Sequence, residues 1–263
     1  MLVKGRCCES IAAMNKQLLQ TAVNVARIAG DRLNGIAKRR VNSDAGKDVK
    51  LQEDIESEIF IRDLLSHTNI PVIGEEQGGD ISIIESCKPY WIVDPIDGTY
   101  NFLRGMPGVC VSIALMRGWE AVVGVIYDFT RGEIFAGGEG LPFTINGEEF
   151  KPKWAEDISQ AALMSGFPNA ASMDDESLKA FVMAAQAFKK VRMVGSAALA
   201  MAWVASGRAD SYCEKGLYLW DVAGGIALMK SLGLPCSVHP MGKKGKPLCV
   251  EIKAAAKKEF FLS

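Results

Sequence analysis

A chain of 263 residues, 49% hydrophobic and 23% charged with a formal net charge of −1, has a globular composition and lacks the positive charge that bulk binding to nucleic acid needs. Seven cysteines without a CxxC pair, and only two histidines, His67 and His239, argue against a Cys/His zinc site and predict reduced, mostly buried thiols in a cytoplasmic protein. No run of about 18 apolar residues predicts a membrane span, and the first residues, Met1-Leu2-Val3-Lys4-Gly5-Arg6, predict no signal peptide.

In chain order, Ile11, Met14, Leu18, Ala22, Val25, Ala29 and Leu33 recur at helical spacing and predict an amphipathic helix over 9–37. The polar stretch from Lys38 to Lys50 reads as a loop or hairpin, and 52–66 as a second helix with Asp54 in its first turn, where a carboxylate suits the helix dipole. Pro71-Val72-Ile73 and Tyr90-Trp91-Ile92-Val93 read as strands. Residues 109–116 and 121–129 read as a hairpin about Gly118, and 133–136 as a further strand. An antiparallel sheet with helices on one side is expected here.

After about residue 150 the pattern restarts. Strands at 161–165, 190–194 and 211–214 alternate with helices at 173–189, 196–206 and 220–232, the last two ended by Gly207 and Gly233. The chain thus divides softly into 1–150, a helix pair with a sheet, and 151–263, an α/β lobe.

The segment richest in chemistry is Trp91-Ile92-Val93-Asp94-Pro95-Ile96-Asp97-Gly98-Thr99-Tyr100-Asn101-Phe102. An apolar strand ends in two carboxylates around a proline that stiffens the turn. Gly98 allows close backbone approach, and the Gly98 and Thr99 amides can face an anion at a helix start. Two aspartates beside a phosphate dianion repel it unless a cation such as magnesium binds both. Two further segments add carboxylates. Glu75 in Gly74-Glu75-Glu76 follows a strand, and Asp221 in Trp220-Asp221-Val222-Ala223-Gly224-Gly225 opens a helix. Taken singly, Glu75 reads as a solvated loop charge and Asp221 as an N-terminal helix cap.

Together and in this order, Gly74-Glu75-Glu76, Asp94-Pro95-Ile96-Asp97-Gly98-Thr99 and Trp220-Asp221-Val222-Ala223-Gly224 resemble the signature of the inositol monophosphatase family. Val194-Gly195-Ser196-Ala197-Ala198 and Gly207-Arg208-Ala209-Asp210-Ser211-Tyr212 are similar to further family segments, so the likeness spans roughly residues 15–235. The resemblance implies a layered α/β/α/β/α fold, an α/β sandwich shared with fructose bisphosphatases, and a homodimer. It implies that Glu75, Asp94, Asp97, Asp221 and the Ile96 carbonyl hold two or three magnesium ions, and that Thr99, supported by Asp54, orients the attacking water. Gly98 and Thr99 would hold phosphate oxygens, and Glu75 belongs to the catalytic group as well. Glu214 matches a residue that contacts substrate hydroxyls, with a strand-end surface charge as its plain alternative, and Ala197 matches a residue lining the same pocket. A family lysine before the second helix is matched by either Lys47 or Lys50.

Two features depart from the pattern: Tyr100 stands where a smaller residue is common, and Gly224-Gly225 puts adjacent glycines inside a helix. Relatives in the superfamily cleave fructose 1,6-bisphosphate, histidinol phosphate or bisphosphate nucleotides; the Asn101-Phe102 ending resembles the inositol branch more than the nucleotidase branch, which leans toward a small polyol phosphate. A nucleotide-dependent redox enzyme is set aside because no G-x-G-x-x-G follows a strand. A purely regulatory protein, as some family members are in RNA-polymerase regulation, is disfavoured by the full set of carboxylates.

Overall fold

The computed structural model describes residues 2–37, 39–45, 48–167, 174–242 and 245–261. Helices α1 (Leu2–Asn34) and α2 (Gln52–Leu65) flank a small hairpin, β1 (Val41–Ala45) and β2 (Asp48–Leu51). A seven-stranded sheet follows in strict chain order: β3 (Val72–Gly74), β4 (Pro89–Asp97), β5 (Cys110–Arg117), β6 (Glu120–Asp128), β7 (Glu133–Gly138), β8 (Leu141–Ile145) and β9 (Glu148–Glu149). Only β3 and β4 pair in parallel; every other neighbour is antiparallel. The short helix α3 (Thr99–Arg104) joins β4 to β5.

A second sheet has the order β11-β10-β12-β14-β13, built from β10 (Ala162–Ser165), β11 (Lys190–Arg192), β12 (Ser211–Tyr218), β13 (Cys236–Pro240) and β14 (Cys249–Ala255). Helix α4 (Asp175–Ala185) follows β10, α5 (Ala197–Ala205) follows β11, and α6 (Leu219–Ser231) follows β12.

The expected antiparallel sheet with helices on one side needs correction, because the large sheet is covered on both faces. Along β4, Tyr90 and Ile92 join the core formed with α5 and α6, whereas Trp91, Val93 and Ile96 join the core formed with α1 and α2. Along β5, Cys110, Ala114 and Met116 face the first core, and Val111, Ile113 and Leu115 face the second. Strands apolar at every position are those with two buried faces. A one-sided reading needs alternation with polar residues, which these strands lack. Burying each large side chain contributes about 1.5–3 kcal/mol. Helices α5 and α6 therefore lie between the two sheets, while α4 packs through Ala185 with Leu163 of β10 and Cys213 of β12 on the outer face of the second. The layers run α/β/α/β/α as the family resemblance implied.

Element ends differ in detail. The first helix spans Leu2–Asn34, and the expected helix over 173–189 is Asp175–Ala185, with residue 173 outside the described residues. The strand expected to stop at Glu214 continues to Tyr218, and β8, β9, β13 and β14 were not anticipated. Among the described residues Cys87, Cys110, Cys213, Cys236 and Cys249 are free thiols, Cys110, Cys213 and Cys249 buried and Cys87 exposed. No described helix is long and apolar enough to cross a membrane.

The adjacent glycines of α6 have a packing cause. A Cβ on Gly225 would fall 2.5 Å from Met201 Cβ of α5, and one on Gly224 would fall 2.9 Å from Ser112 Oγ of β5. Across the same contact, a Cβ on Gly124 of β6 would strike the Gly224 carbonyl and come within 2.7 Å of Ala227 Cβ. Helix α6 thus lies almost backbone to backbone on β6. Gly124→Ala is predicted to cost about 1–3 kcal/mol by overpacking, lowering the calorimetric Tm by roughly 2–12 °C. An unchanged Tm would show that the helix rides higher on the sheet.

Candidate active site

The site begins with an irregularity in β4. In a regular strand, residues three apart point to opposite faces, so Asp94 and Asp97 would diverge. Asp94 pairs with Ser112 and Asp97 with Cys110, so one extra residue is accommodated between them. This bulge at Pro95-Ile96 brings both aspartates to the face covered by α5 and α6, and it tolerates a proline, which cannot donate to a ladder. The amide of Ile96 donates to Asp94 Oδ1 at 3.0 Å. Immediately beyond, Gly98 adopts φ +96°, a left-handed conformation that favours glycine, and a Cβ there would sit 2.5 Å from the Gly108 carbonyl. Thr99 then opens α3.

A cavity of about 960 Å³ lies at this point, lined by Glu75, Asp94, Ile96, Asp97, Gly98, Thr99, Ala197, Glu214 and Asp221, together with Lys50, Phe167, Tyr218, Trp220 and Lys246. Nine of the ten residues singled out from the sequence therefore line one cavity. The tenth, Asp54, stands behind Thr99. The Thr99 hydroxyl lies 3.1 Å from the Ile96 carbonyl and 3.4 Å from Asp54 Oδ1, so its single proton is shared between two acceptors.

Three of the acids, Asp54, Asp97 and Asp221, are held by donors at a helix start. Asp54 is the third residue of α2, and its Oδ2 accepts from the Leu51 amide at 2.8 Å. Asp221 is the third residue of α6, and its Oδ2 accepts from the Tyr218 amide at 2.7 Å. The N-cap position itself is held by Tyr218, so Asp221 is not the cap residue but closes the helix start from its third position, and it also lines the cavity. Asp97 Oδ2 accepts from Ser196 Oγ at 2.7 Å and from the Ala198 amide at 2.6 Å, at the N-terminus of α5. Ser196 caps that helix through a bond from the Leu199 amide.

The electrostatics are strongly unfavourable for bare carboxylates. Burial, reinforced by the charges of Glu75 and Asp97, drives the Asp94 carboxyl well above its ordinary range. Burial does the same to Glu75, with Asp221 as its main charged neighbour, and to Asp221, with Asp97 as its own. Burial raises Asp97 to about 6 although Ser196 and Ala198 oppose the shift. Asp54 is pushed to about 7 by burial against the bond from Leu51. Among the described residues no three acidic, histidine or cysteine groups are already gathered tightly around one point. Their character still fits a hard divalent cation, since the buried donors are carboxylate oxygens that repel one another.

Glu214 lies in the middle of β12, paired with Ile252 of β14, and not at a strand end as the plain alternative assumed. Tyr212 Oη donates to its Oε2 at 3.0 Å, and burial raises the carboxyl to about 7. Gly166 leaves room for it, since a Cβ there would collide with the carboxylate. Lys50 also lines the cavity, its Nζ 3.0 Å from both oxygens of Glu76, whereas Lys47 lies outside the described residues. Tyr100 is exposed and is not among the lining residues. Three residues went unnoticed as site components: Ser196, which fixes Asp97; Asn101, whose side-chain amide ties the Gly108 and Val194 carbonyls at 2.9 and 2.7 Å; and Glu58, behind Glu75. The first two lay inside motifs already singled out, while nothing in its local sequence marked Glu58.

The family model for the inositol monophosphatase family matches residues 14–259. The chain is 33% identical to the Nus factor SuhB of Xylella fastidiosa over 232 residues, 84% of this chain and 81% of that protein. It is 31% identical to the inositol-1-monophosphatase of Mycobacterium bovis over 188 residues, 68% of this chain and 65% of that one. The solved inositol monophosphatase of Anabaena (Nostoc) sp. PCC 7120 superposes with a TM-score of 0.78 at 28% identity, covering 93% of this chain and 92% of that structure. The chain belongs to the inositol monophosphatase family, a metal-dependent phosphatase superfamily.

The pKa shifts set a pH dependence. An acid whose folded pKa is raised contributes stability that is fully present below its unfolded pKa and is lost as pH rises through the folded one. With a chelator present, unfolding free energy is therefore predicted to fall from about pH 4 to about pH 7, the span of the Asp97 and Asp54 shifts. Asp94→Asn removes the most crowded charge while keeping an acceptor for Ile96. It should flatten that fall and raise Tm in chelator at pH 8. A steeper fall, or a lower Tm, would mean that Asp94 is stabilised by a partner and not opposed by its neighbours.

Proposed function

We propose that this chain is a magnesium-dependent phosphate monoester hydrolase acting on a small polyol phosphate such as inositol 1-phosphate. The observation that carries the reading is the bulge in β4, which turns Asp94 and Asp97 into one cavity with Glu75 and Asp221 beside the start of α3. Glu75, Asp94, Asp97, Asp221 and the Ile96 carbonyl would hold magnesium, as two or three ions, which would supply the charge that neutralises phosphate and acidifies water. The chain's own groups do the rest. With its proton committed to Ile96 and Asp54, the Thr99 oxygen accepts a hydrogen bond and so orients the attacking water. Asp54, raised to about 7, is able to hold a proton near neutral pH. The Gly98 and Thr99 amides at the head of α3 face phosphate oxygens. Glu214 and Ala197, which line the same cavity, meet the hydroxyls of the polyol.

The inositol-1-monophosphatase name of the mycobacterial relative supports this substrate class. Free thiols among the described residues agree with a cytoplasmic setting, and a homodimer is what the family resemblance implies. A second reading, a regulatory role toward RNA polymerase, is favoured by the Nus factor name of the Xylella relative. Co-purification of polymerase with a variant that releases no phosphate would establish it separately.

The test is phosphate release across inositol 1-phosphate, fructose 1,6-bisphosphate, histidinol phosphate, NADP and adenosine 3′,5′-bisphosphate. Activity is expected to vanish with chelator and return with magnesium; full activity in excess chelator would refute the reading. Asp97→Asn should lower kcat at least ~100-fold, with the fold intact because the amide oxygen still accepts from Ser196 and Ala198. A near-normal rate would reduce Asp97 to a cap for α5.

Glu214 sets a separate expectation. Its contact lies away from phosphorus, so Glu214→Gln should raise KM for inositol 1-phosphate more than it lowers kcat. Hydrolysis of p-nitrophenyl phosphate, which has no hydroxyls to bind, should change little. Equal loss of both substrates would assign Glu214 to the metal site or the fold. Outright preference of the wild type for adenosine 3′,5′-bisphosphate would move the chain to the nucleotidase branch.

A further inference from the structure

We infer that Glu58 and Arg62 of α2 are positioning residues for Glu75: together they clamp the turn that presents Glu75 to the cavity. The inference rests on the metal-dependent phosphatase reading above.

Glu75 sits in a turn over 74–78 that leaves β3, and the backbone of this turn is tied on two sides. On one side, the Glu75 amide donates to the Val93 carbonyl of β4 at 3.3 Å, and the Gly74 amide donates to the Gly78 carbonyl at 2.9 Å. On the other side stands Glu58, which is fully buried. Its Oε2 accepts from the Glu76 amide at 2.6 Å, and its Oε1 accepts from the Gln77 amide at 3.1 Å and from Arg62 Nε at 2.8 Å. Arg62 continues the tie with the other arms of its guanidinium, which donate to the Val72 carbonyl at 3.0 Å and the Gly78 carbonyl at 2.5 Å. The acid therefore grips the middle of the turn while the base grips both ends. Gly74 belongs to the same fit, because any Cβ there would run into the Glu58 carboxylate.

Two arguments assign this clamp to function as well as to folding. A buried ion pair yields little net stability against apolar packing of the same volume, because desolvation offsets the attraction. What three donors on one carboxylate do provide is a single defined geometry. The second argument is register. Asp54, which contacts Thr99, lies four residues before Glu58, and Arg62 lies four after it, so all three share one face of α2. One rigid helix face thus spaces the support for Thr99 relative to the support for Glu75. Groups one shell behind a metal ligand set its orientation, and losing them typically weakens metal affinity 10–100-fold.

The test is magnesium binding to the full chain, measured by calorimetry and by the magnesium-induced rise in Tm. Glu58→Gln keeps volume but loses the charge and one of the acceptor oxygens. It is expected to weaken apparent magnesium affinity about 10-fold, to speed hydrogen exchange at the amides of residues 76 and 77, and to lower kcat at saturating magnesium by less than the affinity loss. Arg62→Lys keeps a cation beside Glu58 but cannot reach both carbonyls, and it should shift affinity in the same direction by a smaller factor. If Glu58→Gln fails to fold, Arg62→Lys decides by the same criterion. A fall in Tm with wild-type magnesium affinity in the folded variants would overturn the inference and leave the pair a structural one. A wild type that binds no magnesium would instead refute the phosphatase reading, and the clamp's role would fall with it.

Discussion

The constraint on which this structure turns is the mutual repulsion of buried carboxylates. Burial raises the pKa of Glu75, Asp94, Asp97 and Asp221 alike, and charge adds to it: Glu75 and Asp97 raise Asp94, Asp97 raises Asp221, and Asp221 raises Glu75. A fold that brings such groups together must hold them against that force before any cation arrives. It does so with helix starts. Asp54 and Asp221 each reach back to the amide that precedes their own helix, Asp97 rests on the opening turn of α5, and Thr99 begins α3. The positive ends of helix dipoles are thereby turned toward the acids. They partly offset the repulsion, and they favour the negative charge of a phosphate in the same space.

That convergence depends on the layering. Asp94 and Asp97 come from the end of β4 in the large sheet and Thr99 from the start of α3 just beyond it, Glu214 from β12 in the small sheet, and Ala197 and Asp221 from the two helices between the sheets. The distance between the layers sets the width of the site. It is fixed where α6 meets β6 with almost no intervening side chain, at Gly124, Gly224 and Ala227, and where α5 meets α6 at Met201 and Gly225. The paired glycines that looked like a departure inside the Asp221 motif are thus a spacing device. They let the helix carrying Asp221 approach the strands that carry its partner acids.

Much of this was legible in the sequence because the informative signals were local. The run Asp94-Pro95-Ile96-Asp97-Gly98-Thr99 contains its own bulge, turn and helix start, so its chemistry could be read without knowing what packs on it. The sidedness of the sheet was not legible, because Val111 to Leu115, apart from Ser112, and Ala121 to Ile126 are apolar or small on both faces and a two-sided core has no alternation to detect. Strands β13 and β14 were missed since Cys236 to Pro240 and Cys249 to Ala255 are short and mix small with polar residues, and their pairing is decided by β12. The partners of Asp97 were out of reach for another reason: Ser196 and Ala198 lie about a hundred residues downstream. Glu58 looked like an ordinary helix charge, since the turn it holds is eighteen residues away.

The double duty of these residues bears on how the site is to be dissected. Asp97 caps α5 and lines the cavity, Asp221 closes the start of α6 and lines the cavity, and Asp94 holds the bulge amide and lines the cavity. Replacing any of them by alanine removes a ligand candidate and, at the same stroke, leaves a buried donor unpaired, which costs about 1–3 kcal/mol. Loss of activity in such a variant reports on the helix end as much as on the chemistry. The asparagine replacements keep the acceptor and delete only the charge, and in this cavity the two effects have opposite signs. Deleting the charge relieves repulsion and stabilises the fold, while it weakens the attraction for a cation. A site residue here is recognised by that opposition, stability rising as cation affinity falls, whereas a residue that serves the fold alone loses stability and gains nothing in exchange.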